Sequence, residues 1–354
     1  MIYLDGFKIL ISQNHNFVSP VHPPPSSPRS SGGASGEASA DPLAGLRAAE
    51  RHAVEDLLRA LYECEHHGHS ASDARLTGLT GASRAEVLKT LARAAVSGLA
   101  EGTADGWRLT PAGRDIALLV MRAHRLIETR LARESSVPPA RWHEVAHAAE
   151  HGWTHEEVNQ LADRLDNPRF DPHGDPIPTR DGRIPEPEGQ PLHSWQLEEA
   201  GVIAHLEDEP PALFARLAAT GVFAGMRFRL LQRRPEACLL QVEGRDITLP
   251  TELAAMVRVR TLFQSESPPQ PGAIRLSDLA PGAAAAVLTL LPGCVGGERS
   301  RLLDLGFVPG SRLEHALQSP FNGPSAFRVR GTLIALRKSQ ADQILVAPEP
   351  AASR

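Results

Sequence analysis

The sequence predicts a multidomain α+β protein, in which an N-terminal winged helix-turn-helix precedes an all-α domain and two small β-barrels. Three observations predict this architecture. Residues 43–178 carry apolar side chains at helical spacing, divided by short glycine-containing turns. A Pro/Gly-rich stretch follows, and after it come alternating apolar and polar runs typical of strands. These runs recur at an offset of 85 residues, from Arg216 to Arg301, which indicates two similar β domains.

The first 42 residues are predicted to be a disordered tail, because residues 13–42 are rich in Pro, Ser and Gly. A start codon assigned too far upstream would explain this tail equally well. The opening MIYLDGFKILI is too short to span a bilayer and lacks a basic region and a cleavage site. We therefore expect no membrane insertion. The three widely spaced cysteines form no disulfide framework, which favours a cytoplasmic location.

Residues 43–120 have the pattern of a winged helix-turn-helix. A first amphipathic helix ends at Gly68, and two short helices are joined at Gly81 and Ala82. Residues 99–113 then predict a β-hairpin with a tight Ala-Asp-Gly turn. Helix-turn-helix geometry places the second helix of the pair, about 83–97, in the DNA major groove.

Five side chains of that helix are candidates for contacts with phosphates or base edges. They are Ser83, Arg84, Lys89, Thr90 and Arg93. The charge balance argues in the opposite direction, since residues 41–125 carry 11 Lys and Arg against 11 Asp and Glu, and the whole chain has a net charge of −5. Glu86 would repel a phosphate or accept a hydrogen bond from cytosine. A packing unit that binds no DNA therefore stays open as the alternative.

The helical segment 121–178 carries a concentration of metal-ligating side chains. On one helix, His143, His147, Glu150 and His151 would fall within about 100° of arc. Imidazole nitrogen and carboxylate oxygen are natural ligands of a divalent first-row ion where thiolate is absent. A polar surface stripe is the alternative interpretation. His124 and Glu128 lie about twenty residues earlier, spaced i, i+4 on another amphipathic helix.

Three motifs in this order are similar to those of the diphtheria toxin repressor and manganese transport regulator family. They are HRLIE (124–128), HEVAHAAEH (143–151) and NPRFDPHGDPIP (167–178), within a resemblance that covers about 46–178. Further along, LLDLGFVPGSRL and FRVRGTLIALRKSQADQILV resemble the SH3-like domain of the ferrous-iron transport protein FeoA. The resemblance implies a metal-dependent DNA-binding regulator with FeoA-type domains at its C-terminus.

The resemblance also implies two metal sites. The primary site would comprise Asp56, His147, Glu150 and His151. The ancillary site would comprise His124, Glu128 and His143, with Glu209 as a candidate carboxylate from the SH3-like domain. An ordinary surface carboxylate is the alternative for Asp56.

The ligand types leave the choice of metal open. Iron-type relatives have Met at position 56 and Cys at 147, whereas manganese-type relatives have Asp at 56 and Glu at both 147 and 59. Asp56, His147 and Arg59 match neither type fully. We therefore expect Mn²⁺ or Fe²⁺ as the physiological ion, with Zn²⁺ or Co²⁺ able to bind in vitro.

The C-terminal half predicts two SH3-like β-barrels, at 196–262 and 274–347, with linkers at 179–195 and 263–273. Gly225 and Gly310 occupy equivalent turns before a strand, where a positive φ or a close backbone approach is expected. Neither barrel has a nucleophile elbow or a phosphate-binding loop. Protein–protein or intramolecular contact is their expected role.

These features together predict a homodimeric, metal-dependent transcriptional regulator, most consistent with a repressor of iron or manganese homeostasis that binds a double-stranded DNA operator. We expect the helix with the histidine stripe to form the dimer interface as well. The alternative is a metal-binding adaptor of an iron-transport system that no longer binds DNA. A metallohydrolase is disfavoured because the stripe lacks the HExxH arrangement, so the protein is not expected to be an enzyme.

Overall fold

The computed structural model describes residues 2–4, 7–9, 41–135, 137–263, 272–318 and 323–349. The chain divides into two compact units, and each is described by itself. The first unit comprises Met1–Glu128, His143–Arg169 and Pro176–Pro185. The second unit comprises Thr129–Trp142, Phe170–Asp175 and Glu186–Arg354.

A short antiparallel pair of strands opens the chain, β1 (Ile2–Leu4) and β2 (Phe7–Ile9). The prediction that the tail is disordered throughout 1–42 is wrong for these two strands. Their β-branched and aromatic residues favour strand, and the Pro/Ser/Gly-rich composition begins only after them. The rest of the tail, up to residue 40, lies outside the described residues.

The first unit contains the predicted winged helix-turn-helix and the helices that follow it. Its elements are α1 (Ala48–His66), α2 (Asp73–Thr80), α3 (Arg84–Val96), β3 (Ala100–Thr103), β4 (Gly106–Leu109), α4 (Pro111–Glu134), α5 (Trp142–Ala149) and α6 (His155–Arg164). α4 and α5 extend into the second unit at one end. The strands β3 and β4 form the predicted hairpin.

Local sequence explains where the helices of the winged helix-turn-helix begin and end. Ser72 and Ser83 cap α2 and α3 by accepting a backbone N–H of the first turn. Gly81 ends α2 with a φ of 65°, in the left-handed region that glycine adopts without strain. The apolar faces of α1, α2 and α3 and of the hairpin bury one common core, which includes Leu58 and Leu91.

The second unit contains two six-stranded sheets with the same strand order. The elements of the first are β5 (Gln190–Pro191), β6 (Ala200–Leu206), α7 (Pro211–Ala219), β7 (Arg227–Arg233), β8 (Ala237–Val242), β9 (Arg245–Pro250), α8 (Thr251–Ala254) and β10 (Val257–Thr261). Those of the second are β11 (Ile274–Arg275), β12 (Ala284–Leu290), α9 (Gly296–Asp304), β13 (Arg312–Leu317), β14 (Ser325–Val329), β15 (Thr332–Leu336), α10 (Lys338–Ala341) and β16 (Ile344–Pro348).

The hydrogen-bonded orders are β5-β10-β6-β7-β8-β9 and β11-β16-β12-β13-β14-β15. Each strand of the first sheet thus has an equivalent in the second, as the internal repeat predicts. Gly225 and Gly310 have φ values of 84° and 83°, which confirms that both turns need a positive φ. The prediction of barrels needs correction, because the edge strands of each sheet are not hydrogen-bonded to each other among the described residues.

The two sheets of the second unit pack against each other. Arg245 on β9 reaches the second sheet domain, where its Nη2 lies 2.8 Å from Asp342 Oδ1 and 3.1 Å from Asp278 Oδ2. Apolar residues of the second sheet domain, Leu291 and Leu345, belong to the core of the first. The first sheet also begins inside the segment 179–195 predicted as a linker, since β5 pairs with β10.

Candidate metal centre

The helix that carries the predicted histidine stripe is shorter than its sequence pattern indicates. α5 ends just before Glu150, and Gly152 adopts a φ of 74°. Thr154 then caps α6 by accepting a backbone N–H. Glu150 and His151 therefore lie in the turn after the helix rather than on it, because a glycine and a capping residue together break the helical pattern.

Four side chains of the first unit still converge, and we call them the first group. They are Asp56, His147, Glu150 and His151, with ligand atoms all within 4.8 Å of one another. His151 Nε2 lies 3.5 Å from Asp56 Oδ1 and 3.9 Å from Glu150 Oε1. His147 Nδ1 lies 2.8 Å from Glu150 Oε1. Glu150 is fully buried and the His147 side chain is half exposed, so the group opens towards solvent on one side.

Three further side chains form a second group: His124, Glu128 and His143. His124 and Glu128 are neighbours one turn apart on α4, with His124 Nε2 3.2 Å from Glu128 Oε1. His143 on α5 brings its Nδ1 to 3.7 Å from the same oxygen. Both residues from α4 are buried. The structure thus assembles the two sets of residues that the resemblance implied, apart from Glu209.

Glu150 joins the two groups into one network. Its Oε2 accepts a hydrogen bond from His124 Nδ1, and its Oε1 contacts His147. Burial alone would raise the pKa of Glu150, but the hydrogen bonds from His124 and His147 outweigh it and lower the pKa. Burial alone would lower the pKa of His124, but Glu128 and Glu150 outweigh it and raise that pKa to about 9.

Arg59 places a permanent positive charge beside the first group. Its Nη1 lies 3.4 Å from Glu150 Oε2, and its Nε lies 3.4 Å from Glu63 Oε1. The side chain is only 22% exposed, so water screens this charge weakly. A cation that approaches Glu150 therefore meets electrostatic repulsion from Arg59.

The residues present fit a divalent ion. Both groups consist of imidazole and carboxylate donors, the combination expected where no thiolate is available. The Oδ1 atom of Asp56 is buried and makes no hydrogen bond to any described residue, although it faces His151 Nε2. A buried carboxylate oxygen in that position is costly unless it is paired, and coordination to a cation would satisfy it.

One neighbour of the first group is missing from the sequence-based set. Glu55 is 2% exposed, and its Oε2 accepts a hydrogen bond from His151 Nδ1 at 2.9 Å. Its only sequence signal is an i, i+4 pairing with Arg51, which many surface helices also show. Sequence spacing alone does not separate such a supporting residue from an ordinary ion pair.

Two family models match three stretches of the chain. The model for the iron dependent repressor, metal binding and dimerisation domain matches residues 110–179. The model for the FeoA domain matches residues 190–261 and 274–348.

The chain is also similar to known repressors. It is 31% identical over 224 residues to the iron-dependent repressor IdeR of Mycobacterium tuberculosis, and the match covers 58% of this chain and 96% of that protein. The chain belongs to the iron-dependent repressor family. A diphtheria toxin repressor of Corynebacterium glutamicum is 34% identical over 126 residues, covering 35% of this chain and 55% of that protein. A solved manganese-dependent transcriptional repressor in complex with manganese is 27% identical with a TM-score of 0.51, covering 59% of this chain and all of that one.

In this member of the iron-dependent repressor family, α3 is the second helix of the helix-turn-helix. Its first turn is a capping box, in which Ser83 Oγ accepts the Glu86 N–H at 3.3 Å and Glu86 Oε2 accepts the Ser83 N–H at 2.9 Å. Glu86 thus has a structural role that the sequence-based interpretation did not assign. Thr90 is 7% exposed and faces the core, so its burial removes it from the predicted DNA-contacting set.

The basic side chains of α3 differ in their exposure and in their ion pairs. Arg84 is exposed and pairs with Asp73 at 3.2 Å. Arg93 forms an ion pair with Glu50 of α1, so its guanidinium contacts α1. Lys89 is exposed.

Glu209, the remaining predicted ligand, lies in the second unit just before α7. Its role in the ancillary site stays a prediction. Among the described residues, no helix is long and apolar enough to cross a membrane.

Proposed function

We propose that this protein is a homodimeric repressor of iron or manganese homeostasis whose binding to a double-stranded DNA operator is activated by a divalent metal. The observation that carries the proposal is the convergence of Asp56 on α1 with three donors at the end of α5. α1 also packs against α3, the helix proposed to read DNA. The first group therefore includes Asp56, a residue of the helix that supports the proposed DNA-contacting surface.

The proposed mechanism is thermodynamic linkage. Asp56 belongs to the helix-turn-helix part of the first unit, whereas His147, Glu150 and His151 belong to its metal-binding part. Only an arrangement that holds α1 against the end of α5 brings all four donors together, so a bound ion stabilises that arrangement over others. Coupling of this kind is typically about 1–3 kcal/mol, or roughly 5–150-fold in operator affinity.

The donor chemistry supports Mn²⁺ or Fe²⁺ as the physiological ion, with Zn²⁺ and Co²⁺ able to bind in vitro. All seven donors of the two groups are nitrogen or oxygen, and the three cysteines are buried elsewhere. Carboxylates favour the harder Mn²⁺, while imidazoles suit Fe²⁺ and Zn²⁺ as well. We assign the first group to the primary site and the second group, with Glu209 as a candidate carboxylate, to an ancillary site.

The proposed DNA contacts are those of the exposed face of α3. Arg84 and Lys89 would contact phosphates or base edges, with Arg93 able to contribute after release from Glu50. In a dimer, two copies of α3 would enter successive major grooves about 34–36 Å apart. Ser83 would act chiefly through the helix N-terminus that it caps.

Fluorescence anisotropy with the DNA upstream of this protein's own coding sequence tests the proposal. Addition of Mn²⁺, or of Fe²⁺ under anaerobic conditions, should raise DNA affinity by roughly 5–150-fold. His151→Ala should abolish this response without changing the dimer. Equal affinity with and without metal, for both the upstream duplex and a random duplex, would contradict metal activation.

A metal-binding adaptor without DNA binding is the second candidate. The ion pairs that occupy Arg84 and Arg93, together with the balanced charge of residues 41–125, favour it. This candidate predicts metal binding in calorimetry but no DNA complex at any metal concentration. The contact of Arg245 with the second sheet domain supports an intramolecular role for that domain in either case.

A further inference from the structure

The buried carboxylate of Glu55 is surrounded by three hydrogen-bond donors. Its Oε2 accepts from His151 Nδ1 at 2.9 Å and from the backbone N–H of Gly152 at 3.3 Å. Its Oε1 accepts from Arg51 Nε at 2.8 Å. Arg51 in turn donates from Nη1 to Asp41 Oδ2 at 2.7 Å. A buried carboxylate is tolerated when it is paired in this way, and its position is then fixed.

This arrangement determines which nitrogen of His151 is available to a metal. Because Nδ1 carries the proton donated to Glu55, the lone pair of the neutral ring is on Nε2. Nε2 is the nitrogen that faces Asp56 Oδ1 and Glu150 Oε1, at 3.5 and 3.9 Å. Metal-bound histidines commonly donate their second nitrogen to a carboxylate, which fixes the tautomer and makes the ligand more basic.

A second residue of α1 restrains the same ring. The imidazole of His52 stacks on that of His151, with ring centroids 4.2 Å apart and an interplanar angle of 17°. Arg51, His52, Glu55 and Asp56 lie on one face of α1, spaced as i, i+1, i+4 and i+5. About one and a half turns of α1 thus supply a candidate ligand and the groups that hold another ligand in place.

We propose that Glu55 is a positioning residue for the metal centre. It fixes the His151 ring with Nε2 directed at the carboxylates of the first group, and Arg51 and Asp41 hold Glu55 in turn. The inference rests on the proposed function, since it assumes that the first group binds a divalent ion. A merely structural ion pair on α1 would affect the stability of the fold and leave metal affinity unchanged.

Calorimetric titration of the full chain with Mn²⁺ separates these two roles. Glu55→Gln should weaken Mn²⁺ binding by about 10–100-fold, the usual effect of losing an outer-shell partner. Glu65→Gln is the matched control: Glu65 is another glutamate of α1 in an ion pair, with Arg114, and it also accepts the Leu109 N–H. It should lower the melting temperature and leave the Mn²⁺ affinity unchanged. Equal Mn²⁺ affinity for wild type and Glu55→Gln would overturn the proposal.

A double-mutant cycle tests whether Glu55 acts through His151. In a His151→Ala background, Glu55→Gln should cost no further Mn²⁺ affinity, whereas independent effects would multiply and contradict the proposal. If His151→Ala alone leaves Mn²⁺ binding unchanged, the assignment of the first group is wrong and the proposed function fails. If Glu55→Gln does not fold, Asp41→Asn at the outer end of the network should give a smaller loss of Mn²⁺ affinity. An unchanged affinity in that variant would then reject the network.

Discussion

The metal groups and the exposed face of α3 differ in how their charges are held. Around Glu150, two imidazoles and a guanidinium contact one buried carboxylate and are joined through it in one network. On α3, the charges of Arg84 and Lys89 lie in water, where each interacts weakly with its neighbours. Changes in the first region should therefore have large and coupled effects, while changes in the second should be small and nearly additive.

The largest expected effect is on metal affinity. His151→Ala removes a donor from the first group and should weaken Mn²⁺ binding by more than the ~10–100-fold typical of an outer-shell change. Metal-activated DNA binding should be lost with it, although the metal-free protein stays folded. Calorimetry and anisotropy measure the two effects. The assignment of His151 would be wrong if metal stoichiometry and DNA affinity both matched the wild type.

The next largest effect is on the free energy of unfolding. Two carboxylates lie beside Arg59, the buried Glu150 and the more exposed Glu63, and their removal should have different costs. Glu150→Ala would remove the buried carboxylate that Arg59 and His124 share, at a cost of about 3–5 kcal/mol. Glu63→Ala removes the other carboxylate near Arg59, but Glu63 is 36% exposed, so it should cost at most about 1 kcal/mol. Urea unfolding of the metal-free variants measures both. Similar losses would show that the network of Glu150 contributes little.

The sequence predicts the helix-turn-helix and most of the residues that converge in the two groups. It does not predict the helix break after α5, the role of Glu55 or the orientation of Thr90, and each of these has a physical reason. Ligand chemistry and spacing single out His147 with the rest of the histidine stripe, whereas Asp56 is implied only by the family resemblance; the structure brings both side chains into the first group. The helix break at Gly152 and the buried role of Glu55 depend on tertiary context, which spacing does not encode. Thr90 faces the core because α3 has apolar residues on that side, and polar character alone does not show orientation.

The pH dependence of metal binding should follow His124. Its pKa of about 9 lies above the ordinary 6.5, so its contribution to folding is fully present below about pH 6.5 and is lost as the pH rises through about 9. Between about pH 6.5 and pH 9, His124 carries a proton in the folded protein, so a metal that binds at the second group must displace that proton. The affinity should therefore rise by up to about tenfold per pH unit.

Calorimetry between pH 6.5 and 9 tests this dependence. His124→Gln should flatten it, while His155→Gln, at an exposed histidine paired with Asp115, should leave it unchanged. An unchanged slope in His124→Gln would assign the proton to another group.

Metal selectivity should shift with the donor at position 147. His147→Cys adds a soft ligand and should strengthen binding of Fe²⁺ or Co²⁺ relative to Mn²⁺, whereas His147→Glu should favour Mn²⁺. Arg59→Glu should tighten Mn²⁺ binding, because it replaces a repulsive charge near Glu150 with an attractive one. Anaerobic titrations of the three variants measure these preferences. Equal preferences would exclude His147 as a ligand.

The smallest expected effect is on the exposed helix. Lys89→Ala should weaken DNA binding and lower the slope of log affinity against log salt by about 0.9, the value for one phosphate contact. Arg93→Ala removes a side chain that is already paired with Glu50. Part of its effect should therefore appear as a lower free energy of unfolding rather than as a changed salt slope. Anisotropy at several salt concentrations, combined with urea unfolding, distinguishes the two variants. If Lys89→Ala leaves the slope unchanged, α3 does not meet the DNA through this face. The balanced charge of the winged helix-turn-helix would then favour the adaptor function.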